Sequence, residues 1–315
     1  MQKHQLALAL AGAVFGLTTM SAQSALAIES QTVTINFAGQ VGDEAFACGE
    51  TYALGAADTP ITAMDFRFYV SQMALIDEAG NEVPLVLQQD GKWQHQDVAL
   101  LDFEDKSGAC GNGTPETRTQ VVGSVPAGEY TGLKFTLGVP FNLNHIDSTL
   151  APSPLNLTSM WWNWNFGYKF ARIDMMPAID VARVRQSQHD HGSHDGHDHG
   201  SHGGHGHGAH GAAAQPFAIH LGSVGCQLDA AEAPVVCSIP NRPEVMLSDF
   251  DPAENVVIAD LAALVSGTNL SENQANTAIG CMSSPEDSDC AGIMQSLGLP
   301  FNDQPTVEQS FFTVE

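Results

Sequence analysis

Positive charge is scarce in this sequence. Eleven Lys and Arg stand against 36 Asp and Glu over 315 residues, a formal net charge of −25 at pH 7. Binding to nucleic acid or anionic lipid needs Lys and Arg to displace counterions, so this balance argues against both and favours cations or basic partners. Long apolar runs are also lacking. The stretch over residues 6–17 is too short to span a bilayer and no later stretch is long enough, so no membrane insertion is expected. The six cysteines include no C-x-x-C pair, which argues against a thiolate metal site. No G-x-S-x-G, H-E-x-x-H, P-loop or EF-hand pattern occurs, which leaves hydrolase, nucleotide and calcium readings without support. A binding protein rather than an enzyme is expected.

What is present begins with an export signal. Lys3 supplies a positive start, residues 6–17 an apolar centre, and Ala25-Leu26-Ala27 a small-x-small cleavage site. Residues 1–27 therefore read as a signal peptide, and residues 28–315 as one exported domain in the periplasm, secreted or at the cell surface. No cysteine adjoins the cleavage site, against a lipid anchor. All six cysteines follow it, as suits an oxidising compartment. Six cysteines allow fifteen pairings. Short loops favour Cys226–Cys237 and Cys281–Cys290, leaving Cys48–Cys110 as the long closure.

Residues 31–37 alternate polar and apolar at period two, the pattern of a half-buried strand. Further strands are predicted over 66–70, 83–87, 98–103, 133–139, 166–173 and 217–221, several bounded by turn residues. Helix signals are confined to 259–265 and 289–297. Many short strands without long helices predict a mainly β chain, an antiparallel β-sandwich or barrel-like single domain with short helices.

One segment breaks this pattern. Nine of the thirteen histidines (His189, His191, His194, His197, His199, His202, His205, His207 and His210) are spaced by Gly, Asp and Ser. Such a composition cannot bury a core, so 189–210 reads as a disordered, His-rich mobile insertion. Imidazoles on it would take up zinc, copper or nickel with high capacity, in competition with protons.

Outside the tract and the signal peptide only His95, His145 and His220 remain. His220 alternates with Ile219 and Leu221 and so takes the opposite face of its strand. Met160-Trp-Trp-Asn-Trp164 holds three of the four tryptophans. As a strand it would put Met160, Trp162 and Trp164 on one face. Core packing is the ordinary use of such residues, because an intact indole nitrogen only donates hydrogen bonds and cannot ligate a metal.

Several stretches together resemble the MbnP-like copper proteins, the metallo-mystery-pair four-Cys family. They are Asp65-Phe-Arg-Phe-Tyr-Val-Ser71, Val98-Ala-Leu-Leu-Asp-Phe-Glu104, Gly138-Val-Pro-Phe-Asn-Leu-Asn-His145, Ser153-Pro-Leu-Asn156, residues 160–170, Ile219-His-Leu-Gly-Ser-Val-Gly-Cys226 and Gly280-Cys-Met-Ser283. Cys226, Cys237, Cys281 and Cys290 resemble the family's four-Cys pattern, with Cys48 and Cys110 an additional pair. The resemblance implies a diheme, MauG-like partner enzyme of the MbnH type, which oxidises the first tryptophan of a W-x-W motif to kynurenine. In Trp162-Asn163-Trp164 that residue is Trp162. Ring opening yields an aryl amine with a lone pair, which beside imidazoles would complete a Cu(I) site for copper homeostasis. His145 and His220 are the expected imidazoles, because both lie in family-like blocks, and Met160 or Met282 could add a thioether. Another copper transport or storage protein would be a further partner. Two rival readings are a periplasmic zinc, nickel or copper buffer acting through the His-rich loop alone, and a copper-dependent oxidase. The best-known exported copper oxygenases ligate through a mature N-terminal histidine, which a chain starting near Ile28 lacks.

Overall fold

Two facing sheets and two small ribbons form the fold in the computed structural model, which describes residues 29–163, 165–178 and 215–315. The signal segment 1–27, Trp164 and the histidine tract 189–210 lie outside the described residues. The first sheet has six strands and centres on Ser30–Val41, whose alternation buries Val33, Ile35 and Phe37. Gln120–Pro126 flanks it antiparallel and Val256–Asp260 parallel, and Phe312–Val314 pairs antiparallel with the latter. The second sheet has nine strands and centres on the 19-residue strand Thr59–Asp77. The first half of that strand leads to Ala171–Pro177 and then Phe217–Leu221, the second half to Tyr130–Leu137 and then Glu244–Ser248. Aromatic rings join the sheets. Phe37 meets Phe68 and Phe135 at centroid separations of 6.4 and 5.8 Å, and Phe312 meets Phe135 at 5.0 Å, all edge-to-face. The expected mainly β sandwich with short helices is the architecture observed.

Several elements differ from the sequence-based expectation. The segment 83–87 splits into Glu82–Pro84, on the nine-stranded sheet, and Val86–Leu87, on the six-stranded one, so the chain changes sheets there. The segment 166–173 is two strands, Gly167–Tyr168 and Ala171–Pro177. Gly167 has φ +78°, and a Cβ there would lie 2.3 Å from the Asn144 carbonyl oxygen, so the chain turns tightly where a continuous strand was expected. Residues 259 and 260 end a strand, and the Asp260 side chain accepts from the Ala262 amide to cap the helix Leu261–Val265. The 289–297 segment is a 3₁₀ turn, Ser288–Cys290, running into the helix Ala291–Ser296. Among the described residues no helix is long and apolar enough to cross a membrane.

The three disulfides are Cys48–Cys110, Cys226–Cys237 and Cys281–Cys290, as the spacing favoured. Cys281 and Cys290 are buried in the core, whereas Cys226–Cys237 crosses the half-exposed ribbon of Val224–Leu228 and Pro234–Ile239. Replacing Cys281 and Cys290 together by Ser should lower unfolding stability by about 2–4 kcal/mol, by loosening the unfolded chain. Denaturant titration reads this directly, and an unchanged midpoint would show that the staple adds nothing.

Candidate metal centre

The strands Thr59–Asp77, Ala171–Pro177 and Phe217–Leu221 lie side by side, and residues 65–68, 171–174 and 217–221 alternate between two faces. Phe66, Phe68, Ile173 and Ile219 point into the core. The other face carries charge: Arg67, Arg172 and His220 are neighbours in register, and Asp65 faces Asp174 two residues along. The turn Thr158–Met160, leading into the paired strands Trp161–Asn163 and Gly167–Tyr168, meets this face through Ser159, and the charges there are buried. Arg67 is fully buried and Asp65 nearly so.

Buried charges survive only when paired, and these are. Arg67 grips Asp65 through Nε at 2.8 Å and through Nη2. Arg172 Nε and Nη2 donate to Asp174 Oδ2 at 2.8 and 2.6 Å, and Arg172 Nε also lies 3.1 Å from Asp65 Oδ2. Three cations of this face converge on Ser159, just before the tryptophans. Lys169 Nζ and Arg172 Nη1 donate to its carbonyl at 2.9 and 3.1 Å, and Arg67 Nη1 donates to its hydroxyl at 3.3 Å. Burial, helped by neighbouring Arg172, pushes Lys169 down to about 8. The charge network thus anchors the segment that presents the tryptophans.

His220 sits at the edge of this network, with Nε2 2.8 Å from Asp174 Oδ1. Burial pushes the imidazole below its ordinary value, against the opposing pull of Asp174. Burial also works against ionisation of Asp174. The bond to His220 and the charge of Arg172 overcome it and bring the carboxyl down to about 2.

Trp162 lies over His220, with ring centroids 6.4 Å apart, and meets Phe166 edge-on at 6.3 Å. Gly222 makes this possible, because a Cβ there would lie 2.5 Å from Trp162 Cζ3. Trp161, by contrast, packs against the core. Met160 is fully buried in that core, at the end of the 3₁₀ turn Thr158–Met160. That turn breaks the strand alternation expected of 160–164, so Met160 and Trp162 do not share an environment.

Met282 reaches the same neighbourhood from a distant part of the chain. Ile219 and Cys281 form a parallel bridge, in which the His220 amide donates to the Cys281 carbonyl at 2.9 Å and the Cys281 amide to the Ala218 carbonyl at 2.8 Å. Ser283 Oγ then donates to the His220 carbonyl and accepts from the Gly222 amide, both at 2.9 Å. Ile219 and Cys281 are buried together, and half-buried Met282 follows directly on this bridge.

His145 follows the short helix Phe141–Asn144 and has other neighbours. Its ring lies 4.9 Å from that of Phe141, and its Nε2 lies 3.5 Å from Cys237 Sγ. Asn144 ties it to the tryptophan hairpin, accepting from the Tyr168 amide at 2.9 Å. His95 lies beside Gln96 at 3.3 Å. Two clusters, His145–Cys226–Cys237 and Cys48–Glu104–Cys110, bring potential metal donors within 4.8 Å. In both, the sulfurs are closed as disulfides and offer no thiolate.

Sequence reading passed over Asp174, Arg172, Ser159 and Gly222. A signal was available. Asp65-Phe-Arg67 and Arg172-Ile-Asp174 each place two charges on one face of an otherwise apolar strand, and His220 has the same alternation. Three such strands are suited to lie together.

The fold and site define a class: a disulfide-stapled β-sandwich with an indole and an imidazole packed together over a charged sheet face. The MbnP family profile matches residues 30–283, and the chain belongs to that family. Its structure is similar to that of MbnP from Methylosinus trichosporium, with TM-score 0.72 and 28% sequence identity, over 91% of this chain and 99% of that one. No curated protein sequence matches the chain.

Proposed function

We propose that this protein is an exported copper carrier that holds one Cu(I) at the Trp162–His220 face and catalyses no reaction. The observation that carries the reading is the tilted packing of Trp162 against the anchored imidazole of His220 across Gly222. Family membership supports it. The residues suit a soft, low-coordinate ion: imidazole nitrogen accepts copper among several metals, and a thioether sulfur is a soft donor that favours Cu(I). The intact indole offers no lone pair, so Trp162 must first be opened to kynurenine by a diheme, MauG-like partner. The aryl amine then supplies the missing nitrogen. His145 is the second imidazole of this reading and Met282 a further thioether donor, whereas Met160 is held in the core. Another copper transport or storage protein would take or supply the ion, in the periplasm or at the cell surface. The loop histidines 189–210 add capacity, not selectivity, because selectivity needs ligands held by packing and supporting contacts.

The test is metal content after challenge with a Cu(I) chelator. Protein made with the diheme partner should retain one copper per chain, and protein made without it none. Deleting residues 189–210 should lower total uptake and leave the retained ion in place. Loss of that ion on deletion would move the function to the loop and favour a metal buffer.

A further inference from the structure

We propose that Asp174 is a positioning residue that fixes the tautomer of His220 and so assigns Nδ1 as its metal-binding nitrogen. This inference rests on the reading of His220 as a copper ligand. A neutral imidazole carries one N–H and one lone pair, and the hydrogen bond made by one nitrogen decides which is which. Here Nε2 is 2.8 Å from Asp174 Oδ1. A carboxylate can only accept, so Nε2 donates and the lone pair falls on Nδ1.

The carboxylate has no freedom to yield. Its other oxygen, Oδ2, takes both Nε and Nη2 of Arg172 at 2.8 and 2.6 Å. Arg172 is held in turn by Asp65 at 3.1 Å and by the Ser159 carbonyl at 3.1 Å. Asp65 is gripped by the buried Arg67. The imidazole is thus oriented by a chain of charged contacts that also anchors the turn leading to Trp162. One network therefore sets both the ligating nitrogen of His220 and the position of the indole beside it. A carboxylate on the far nitrogen also raises the basicity of the ligating one and removes the need to reorient the ring when metal arrives.

Arg172 makes the test sharp. In Asp174→Asn the amide must present its oxygen to Arg172, because two donors would repel. Its NH2 then faces His220 and donates to Nε2, which forces the proton to Nδ1. Nitrogen-15 NMR of the metal-free full-length protein should show the Nε2–H tautomer in the wild type and the Nδ1–H tautomer in Asp174→Asn. Asp174→Glu should restore the wild-type tautomer. In protein processed by the diheme partner, Cu(I) affinity should fall about 10–100-fold in Asp174→Asn and recover at least partly in Asp174→Glu. An Nδ1–H tautomer in the wild type overturns the proposal, as does an Asn variant with unchanged tautomer and affinity. Should the Asn variant fail to fold, the wild-type spectrum still decides. If the tautomers switch as expected but processed wild-type protein binds no copper, the tautomer assignment stands, and the copper reading fails together with any metal role for Asp174.

Discussion

Trp162→Phe should abolish the tightly held copper even in protein made alongside the diheme partner. The loss should exceed the roughly 10–100-fold typical of removing an outer-shell partner of a metal ligand, because here a ligand itself is removed. Phenylalanine keeps an aromatic ring over Gly222 and His220 but cannot be opened to an aryl amine. The fold should tolerate the change at a cost of about 1 kcal/mol, since Trp162 is half-buried and stands outside the core that holds Trp161 and Met160. Peptide mass spectrometry of the wild type made with the partner should find one carbon replaced by one oxygen at Trp162, with Trp161 and Trp164 intact. An indole resists mild oxidants, so protein made without the partner should keep tryptophan at all three positions. A Phe variant with full copper affinity would show that Trp162 is packing and that the ligands lie elsewhere.

The largest effect on stability is expected at Arg67. Its guanidinium is fully buried, pairs with Asp65, lies 3.8 Å from Glu104 Oε1 and donates to Ser159. Asp102 is buried nearby, and burial raises its carboxyl to about 8. Arg67→Ala would leave Asp65 and Glu104 desolvated without their main cation, a defect that costs about 3–5 kcal/mol. Set against a total stability of about 5–15 kcal/mol, that is enough to unfold much of the protein near its growth temperature. Arg67→Met combined with Asp65→Asn should recover part of the loss, because it removes the charge and its partner together. Denaturant titration of the three proteins provides the measurement. A loss below about 1 kcal/mol in Arg67→Ala would mean that water reaches the cluster and screens it.

The sandwich was legible in the sequence where one face of a strand is apolar and the other polar. Residues 31–37 and 217–221 have that pattern and form strands with the expected faces. It was least legible along Thr59–Asp77, of which only 66–70 stood out. Asp65, Arg67 and Ser71 are polar yet buried, so this stretch has no solvent-facing side to reveal it, and the pairing with Tyr130–Leu137 is interrupted by register shifts. The disulfide pairs followed from loop length. Of the candidate site, Trp162 and His220 stand out in the sequence, but their packing together and the link of His220 to residues 281–283 do not. The bridge between Ile219 and Cys281 joins residues 62 positions apart, and no local periodicity reports such a contact. His145 stands out only through the family-like block that holds it. The structure seats it beside the Cys226–Cys237 sulfur, a neighbourhood that depends on a hairpin about 90 residues away in sequence.

The parallel seam between Ser30–Val41 and Val256–Asp260 bears on the order in which the chain can be assembled. The strand nearest the start of the described chain lies between Gln120–Pro126 and a strand formed more than two hundred residues later, and Glu315 closes the sheet by bonding Val256 in both directions. A chain delivered from its amino end would expose one ladder edge of its leading strand until nearly all of it had arrived. Such an edge invites pairing with other chains. Contacts this distant in sequence also make folding slow. Productive folding of this protein is therefore a late event, and the unfinished chain is the form most in need of protection from its neighbours.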